Sequence, residues 1–284
     1  MSFPDSFSKY GSTAGDKGLA QIGLARVGGK TAISRLRTRA PLLVQKALYP
    51  DSSLPDMAHV YLMSSAGGIL QGDRMEIDIV AGNNTSSHIT TQAATKIYKM
   101  DKGYAAQTVV ISARAGSYLE FLPYQIIPFK SSRFFQQVDV QLEQSSTVLY
   151  SETVSSGRTA SGENFDFDIC FLKMTARDGK GKTLFADAAK LEPDKDEMVR
   201  LFGNKGIWSM LYVITSDFES IHRHANSAIK ENSMLAGCSI LPHDCGLIVR
   251  MLDDSIDNVR KLTDTIASIA RTHALAVATE SPAN

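Results

Sequence analysis

Alternation of apolar and polar positions, rather than helical periodicity, dominates the first two thirds of the chain. In Asp73-Arg74-Met75-Glu76-Ile77-Asp78-Ile79 the apolar side chains fall on every second residue. This places Met75, Ile77 and Ile79 on one face of a half-buried strand and Arg74, Glu76 and Asp78 on the other. Just upstream, His59-Val60-Tyr61-Leu62-Met63 is rich in apolar and aromatic residues, the pattern of a strand buried on both faces, and Ala66-Gly67-Gly68 ends it. The design repeats in Gln107–Ile111, Ser117–Phe121, Phe134–Leu142 and Thr147–Tyr150, separated by Gly, Asp or Ser turns. Phe165–Phe171 is the clearest case, with Phe165, Phe167, Ile169 and Phe171 on one side. The expected fold class is mainly β: many short, largely antiparallel strands in stacked or helically wound sheets.

Helical patterns come late. Pro193-Asp194 predicts a short helix through Phe202, and Ser216-Asp217-Phe218-Glu219 has the form of a capping box opening a helix with Phe218, Ile221, Ala225, Ala228 and Ile229 on one stripe. A last helix is expected from about Ser255 to His273, with Ile256, Val259, Leu262, Ile266 and Ile269 inward. Between them, Cys238–Leu241 and Leu247–Leu252 flank a Pro242-His243-Asp244 turn like a hairpin, and with Trp208–Ile214 this gives a β-α-β-β-α order. The expected organisation is a mobile polar tail over residues 1–20, a β body over 21–192 and an α+β part over 193–284 packed on that body, or one single domain. Basic residues between Gln21 and Ala47 read as the solvated face of early strands.

Charge narrows the function classes. Among 284 residues, 30 basic side chains balance 30 acidic ones, so there is no electrostatic footprint for nucleic acid or for an anionic membrane. No run approaches the roughly 18 apolar residues of a membrane span, and Met1–Lys17 has no apolar signal core, which together predict a cytoplasmic protein. Three widely spread cysteines, Cys170, Cys238 and Cys245, suit reduced thiols better than a disulfide framework.

Candidate chemistry is sparse. Gly67-x4-Gly72 invites comparison with a phosphate-binding loop, but Asp73-Arg74 stands where the lysine and hydroxyl residue belong, so a tight turn between paired strands is the better reading. In Thr90–Tyr98 strand alternation puts Thr91, Ala93, Thr95 and Ile97 on one face and Gln92, Lys96 and Tyr98 on the other. Such a row either lines a wet channel or pairs across strands. His222 and His224, two apart on a helix, point to different sides. Cys238, His243 and Cys245 form a soft-ligand cluster of the kind zinc or nickel takes, if the hairpin converges its arms; the bland alternative is two core thiols. That cluster supports a metal- or thiol-dependent hydrolase as an alternative function. Gly-x-Ser-x-Gly, His-Glu-x-x-His, Gly-x-Gly-x-x-Gly and Cys-x-x-Cys motifs are absent. Carboxylates at Asp73, Glu120, Glu152, Glu163 and Asp187 suit weak ligation of an ion that must move on.

Four ordered motifs carry a resemblance: Gly67-Gly68-Ile69-Leu70-Gln71-Gly72-Asp73-Arg74; Thr90-Thr91-Gln92-Ala93-Ala94-Thr95-Lys96-Ile97-Tyr98; Leu122-Pro123-Tyr124-Gln125-Ile126-Ile127-Pro128-Phe129; and Glu152 with Gly157-Arg158 and Gly162-Glu163. Pro41–Lys46 and Tyr49-Pro50 add a weaker match. Together they resemble the UreD (also called UreH) family of urease accessory proteins. The resemblance implies a predominantly β body with a few helices and a non-enzymatic role. It also implies that a UreF-type accessory protein and a UreG-type GTPase join the protein and dock with it on apo-urease. By the same resemblance, Ni(II) is expected to reach the dinuclear centre through an internal water-filled passage, bound only transiently, with no tightly held cofactor. Carried over by motif, the passage residues are Asp73, Thr91, Gln92, Lys96, Tyr98, Glu152, Arg158, Glu163 and Asp187. The transient nickel ligands are Asp73, Glu152 and Glu163, and Gly67, Gly68, Gly72, Pro123, Gly157 and Gly162 shape the backbone. Carboxylates in series are favoured over the Cys-His cluster. Departures exist: Ala188 follows Asp187 where the family usually has arginine, Ser155-Ser156 precede Gly157 where an apolar pair is common, and the last helix lacks a tryptophan.

Overall fold

The computed structural model describes residues 4–11, 13–203 and 205–280, with backbone alone at 195–197, 199 and 276–280. Its elements in chain order are β1 (Lys17–Val27), β2 (Lys30–Arg39), β3 (Leu42–Val44), β4 (Ala58–Ser64), β5 (Arg74–Ala81), β6 (Ser86–Thr91), β7 (Thr95–Ile97), β8 (Ala105–Ala113), β9 (Tyr118–Phe121), β10 (Ile126–Pro128), β11 (Arg133–Leu142), β12 (Thr147–Ser155), β13 (Ile169–Asp178), β14 (Thr183–Leu191), α1 (Lys195–Phe202), β15 (Ile207–Ile214), α2 (Glu219–Lys230), β16 (Leu235–Ile240), β17 (Gly246–Asp253) and α3 (Ile256–Glu280).

The strands form two facing sheets, one in the order β14-β13-β11-β8-β5-β1-β2 and the other β16-β17-β15-β12-β9-β6-β4-β3 with β7 and β10 attached. Apart from the short β7 and β10, the chain alternates between the sheets from β4 to β13, so each coil contributes one long strand to each. Successive coils run the same way round, and the pairs β5/β8, β8/β11, β11/β13, β4/β6, β6/β9 and β9/β12 are therefore parallel. Here the structure corrects the expectation of largely antiparallel strands. Antiparallel pairing is confined to the flanks, at β1/β2, β3/β4, β13/β14, β12/β15, β15/β17 and β16/β17. The mainly β, helically wound architecture with late helices stands.

One set of corners is short and repetitive. Asn84, Gly116 and Ser145 occupy the left-handed region at φ 54°, 66° and 57°. The hydroxyl that follows each donates three residues back: Thr85 to Gly82 O (2.7 Å), Ser117 to Arg114 O (2.6 Å) and Ser146 to Glu143 O (2.7 Å). Backbone hydrogen bonds stack the rungs, Asn84 N to Ala115 O (3.0 Å) and Gly116 N to Gln144 O (3.2 Å). The opposite corners are long, and they contain the four motifs. These also stack: Ile69 bridges Ile97, β7 pairs with β10 from Ile126↔Thr95 to Pro128↔Ile97, and Ile126 pairs with Val154 of β12.

The main core lies between the sheets, built from Ile77, Ile79, Val109, Ile111, Val138 and Leu172 on one side and Val60, Leu62, Ile89, Leu119, Phe121 and Tyr150 on the other. A second core joins the outer face of the larger sheet (Leu149, Leu211, Val213, Val249) to Ile221 and Ala225 of α2 and Val259, Leu262 and Ile266 of α3.

Several local expectations change. β4 is buried on one face only, because Val60 and Leu62 point inward while Tyr61 is 37% exposed. Gly67–Gly72 crosses from one sheet to the other instead of joining paired strands. The strand expected from Phe165 starts at Ile169, since Phe165 itself sits at φ 54°. Glu219 opens α2 without any side-chain cap, so the Ser216 box does not form. Residues 1–3 and 12 of the expected mobile tail lie outside the described residues, as do 204 and 281–284 of the expected C-terminal part. Within the rest of that tail, a 3-10 turn at Asp5–Tyr10 buries Phe7 against Tyr104 (4.9 Å) and Phe135 (5.7 Å), and β1 begins at Lys17. One aromatic side chain on an exposed sheet face is enough to anchor a segment whose composition is otherwise polar.

Candidate functional site

A cavity of about 300 Å³ opens between the sheets at the motif-bearing corners. Its rim carries exposed residues, among them Gly67, Gln92, Ala93 and Lys96, and its walls are apolar, with Leu42, Leu62, Met75, Ile77, Phe121 and Ile126. The floor is polar, formed by buried Gln136, Tyr150 and Glu152 and half-buried Gln107. The strands that supply this floor explain its composition. Phe134, Gln136, Val138 and Val140 of β11 alternate inward, as do Val148, Tyr150, Glu152 and Val154 of β12. A polar residue interrupts each apolar file at the same depth.

Glu152 is 2% exposed. Its Oε1 accepts from Gln136 Nε2 (2.8 Å) and from the Tyr150 hydroxyl (2.9 Å), while Oε2 has no hydrogen-bond partner among the described residues. Burial pushes the Glu152 carboxyl up to about 7, against the two hydrogen bonds, and the charge of Asp187 raises it further. Asp187 lies beyond it on β14, accepting from the Tyr212 hydroxyl (3.1 Å) and from Arg250 Nη2 (2.8 Å). The Tyr150 and Tyr212 rings stack at 6.3 Å, so an aromatic pair separates the inner carboxylate from the outer one.

The structure brings Gly67, Gly68, Thr91, Gln92, Lys96, Pro123 and Glu152 together on the cavity. The expected two-faced strand at Thr90–Tyr98 is broken after Thr91, so residues 91–96 all line the cavity, and the Thr91 hydroxyl accepts from Tyr124 N (2.9 Å). Tyr98 does not line it. Its ring packs on Phe129 (5.0 Å) and against Gly68, where any Cβ would fall 2.5 Å from the ring; this contact requires the glycine.

Asp73, Arg158, Glu163 and Asp187 do not line the cavity either. Asp73 is a buried turn anchor: Oδ1 accepts from Asp16 N and Oδ2 from Leu70 N, both at 2.8 Å, beside Gly72 at φ 82°. Glu163 is held below the ordinary carboxylate range by Arg158, whose Nε donates to Oε2 (3.0 Å) with a second short contact from Nη2, and the guanidinium lies 4.2 Å over Phe129. With Gly157 and Gly162 in the same segment, this pair braces the last motif against the third. Of the three carboxylates expected to touch nickel, Glu152 alone faces the cavity.

The Cys238–His243–Cys245 cluster does not assemble. Cys238 packs with the helix-side core and Cys245 with the inter-sheet core, on opposite faces, and burial pushes both thiols up to about 11. Among the described residues no group of three His, Cys, Asp or Glu side chains is arranged to hold a metal ion. Cys238 lies within β16 and Cys245 at the end of the 3-10 segment Pro242–Asp244, so the sulfurs face different cores and the cluster that suggested a thiol-based hydrolase is not formed.

Sequence reasoning missed Gln107, Gln136 and Tyr150, whose signal was a polar residue at an inward position of an otherwise apolar file. It also passed over the partners of Glu120. That carboxylate, 0% exposed, accepts from Arg271 Nε and Nη2 (2.8 Å each) and from the Tyr118 hydroxyl (2.6 Å), and its Oε2 lies 2.6 Å from His88 Nδ1. The set ties α3 to β9. His88 and Arg271 outweigh burial and hold Glu120 at about 2.

Residues 16–283 match the family described as UreD urease accessory protein. The chain belongs to this family. It is 37% identical over 262 residues to the urease accessory protein UreD of Cenarchaeum symbiosum, covering 90% of this chain and 92% of that one. With UreD of Photorhabdus laumondii the identity is 35% over 275 residues, 94% and 86% of the two chains, and with UreD 2 of Brucella canis it is 36% over 267 residues, 90% and 87%. The relatives bear the names of accessory proteins, and membership spans the wound body and the late helices alike.

Proposed function

We propose that the protein serves urease maturation as a non-enzymatic conduit, admitting Ni(II) as cargo at the rim formed by Gly67, Gln92 and Lys96 and passing it by way of Glu152. In this reading it works in the cytoplasm with a UreF-type protein and a UreG-type GTPase, docked on apo-urease. One observation carries it: a buried carboxylate with one oxygen engaged and the other unpartnered among the described residues stands on the floor of an internal cavity lined by the segments Gly67–Ile69, Thr91–Lys96 and Pro123–Ile126. An oxygen ligand of this kind binds a divalent cation weakly enough to release it. Among the described residues the cavity lining includes Met63 and Met75 but neither cysteine nor histidine, a lining that favours transit over capture.

The test is urease activation in cells expressing the urease subunits and all accessory proteins, reading nickel per urease. Omitting the protein, or substituting Glu152→Gln, is expected to leave urease assembled but nickel-poor. Full nickel content in either case would refute the conduit.

A further inference from the structure

We infer that Gln136 is a positioning residue for the cavity carboxylate: reaching across from the opposite sheet, its amide engages one oxygen of Glu152 and leaves the other for the passing cation. The inference rests on the conduit reading above.

Gln136 belongs to β11 in the smaller sheet and Glu152 to β12 in the larger, and the amide spans the floor between them. Its orientation is fixed from behind. Gln107 Nε2 on β8 donates to Gln136 Oε1 at 2.7 Å, so the Gln136 NH₂ group faces the larger sheet. There it donates to Glu152 Oε1 (2.8 Å) and to the Tyr150 hydroxyl (3.0 Å), which in turn donates to the same Oε1 (2.9 Å). Every donor therefore converges on one carboxylate oxygen. An amide does this without bringing a positive charge, so the carboxylate is aimed but not neutralised against an incoming cation.

Glu120 shows the opposite arrangement in the same molecule. There Arg271 takes both oxygens and Tyr118 and His88 add to them, which yields a structural ion pair with nothing left for a cation. The difference between the two sites is the choice of amide against guanidinium.

The experiment uses the full chain in a reconstituted mixture of purified apo-urease, accessory proteins and GTP, titrated with nickel. It reads the half-saturating nickel for urease loading, the loading plateau, nickel retained on the accessory complex, and the thermal midpoint of each variant. Gln136→Leu keeps the volume and removes the donor, and is expected to raise half-saturating nickel about tenfold with little change in plateau. Gln136→Glu keeps the shape and sets a second carboxylate beside the first, and is expected to retain nickel on the accessory complex and lower the plateau. Gln107→Leu, one layer further back, should shift in the direction of Gln136→Leu but less, and serves if the floor variants fold poorly. Opposite responses of Leu and Glu at position 136 at comparable thermal midpoints support the inference; a mere packing role would move both together. Responses that simply follow the thermal midpoint, or none at all while Glu152→Gln depresses loading, overturn it. If Glu152→Gln itself leaves loading unchanged, the conduit reading fails first.

Discussion

Two buried glutamates on adjacent strands set the pH response in opposite directions. Glu120 is depressed to about 2 from an ordinary 4.5, so its contribution is present above pH 4.5 and is lost as pH falls from there toward 2. Glu152 is raised from 4.5 to about 7, so its contribution is full below pH 4.5 and is lost as pH rises toward 7, on the order of 3 kcal/mol in all. The thermal midpoint of Glu152→Gln is therefore expected to lack the wild-type decline between pH 4.5 and 7; an identical decline would show that Glu152 does not titrate there. Arg271→Ala strands the Glu120 charge and is expected to cost ~3–5 kcal/mol by chemical denaturation. Asp73→Ala leaves the Asp16 and Leu70 amides without their acceptors, an expected loss of ~1–3 kcal/mol for each amide left buried. Residue identity alone did not separate these roles: Asp73, Glu120, Glu152 and Glu163 are indistinguishable as acids in a string, and only their partners make one an anchor, two of them ion pairs and one a cavity acceptor.

At the scale of elements, the sequence disclosed strands more readily than their directions. Alternation in β5 and β11 identifies a strand with one buried face, but parallel and antiparallel neighbours bury that face equally well. The missing information lay in the corners. Asn84-Thr85, Gly116-Ser117 and Ser145-Ser146 recur at intervals close to those of the motifs on the other side, a coil-length repeat that betrays winding. Ser145 holds a left-handed φ that glycine adopts without strain, so Ser145→Gly is expected to be neutral or stabilising despite the added chain entropy, whereas Ser145→Val should destabilise by about 1–2 kcal/mol in thermal unfolding. The cavity rim was legible for a different reason. Thr91, Gln92 and Lys96 belong to a motif, yet their common cavity depends on the break after β6, which no periodicity announces. Ala94→Trp, at a half-buried position on that rim, is expected to obstruct the cavity and lower nickel per urease at a stability cost of no more than about 1–3 kcal/mol.

Over the whole molecule, winding explains why motifs far apart in sequence lie at one place. Each coil returns the chain to the same end of the two sheets, so segments beginning at Gly67, Thr90, Leu122 and Glu152 stack as neighbouring corners around a single cavity. The late hairpin β16/β17 extends the larger sheet, α2 and α3 cover its outer face, and that end stays open. What composition showed, a chain with no net charge, is compatible with any number of β proteins; the ordered motifs made the family legible in the sequence, and the fold showed which of their residues share a cavity. The most direct measurement is the anomalous scattering of nickel soaked into crystals of the full chain, parent and Glu152→Gln side by side. A nickel peak beside the free carboxylate oxygen of Glu152 in the parent, absent from the variant, is the predicted result. Nickel confined to surface histidines such as His224, with the cavity blank in both crystals, would contradict the account.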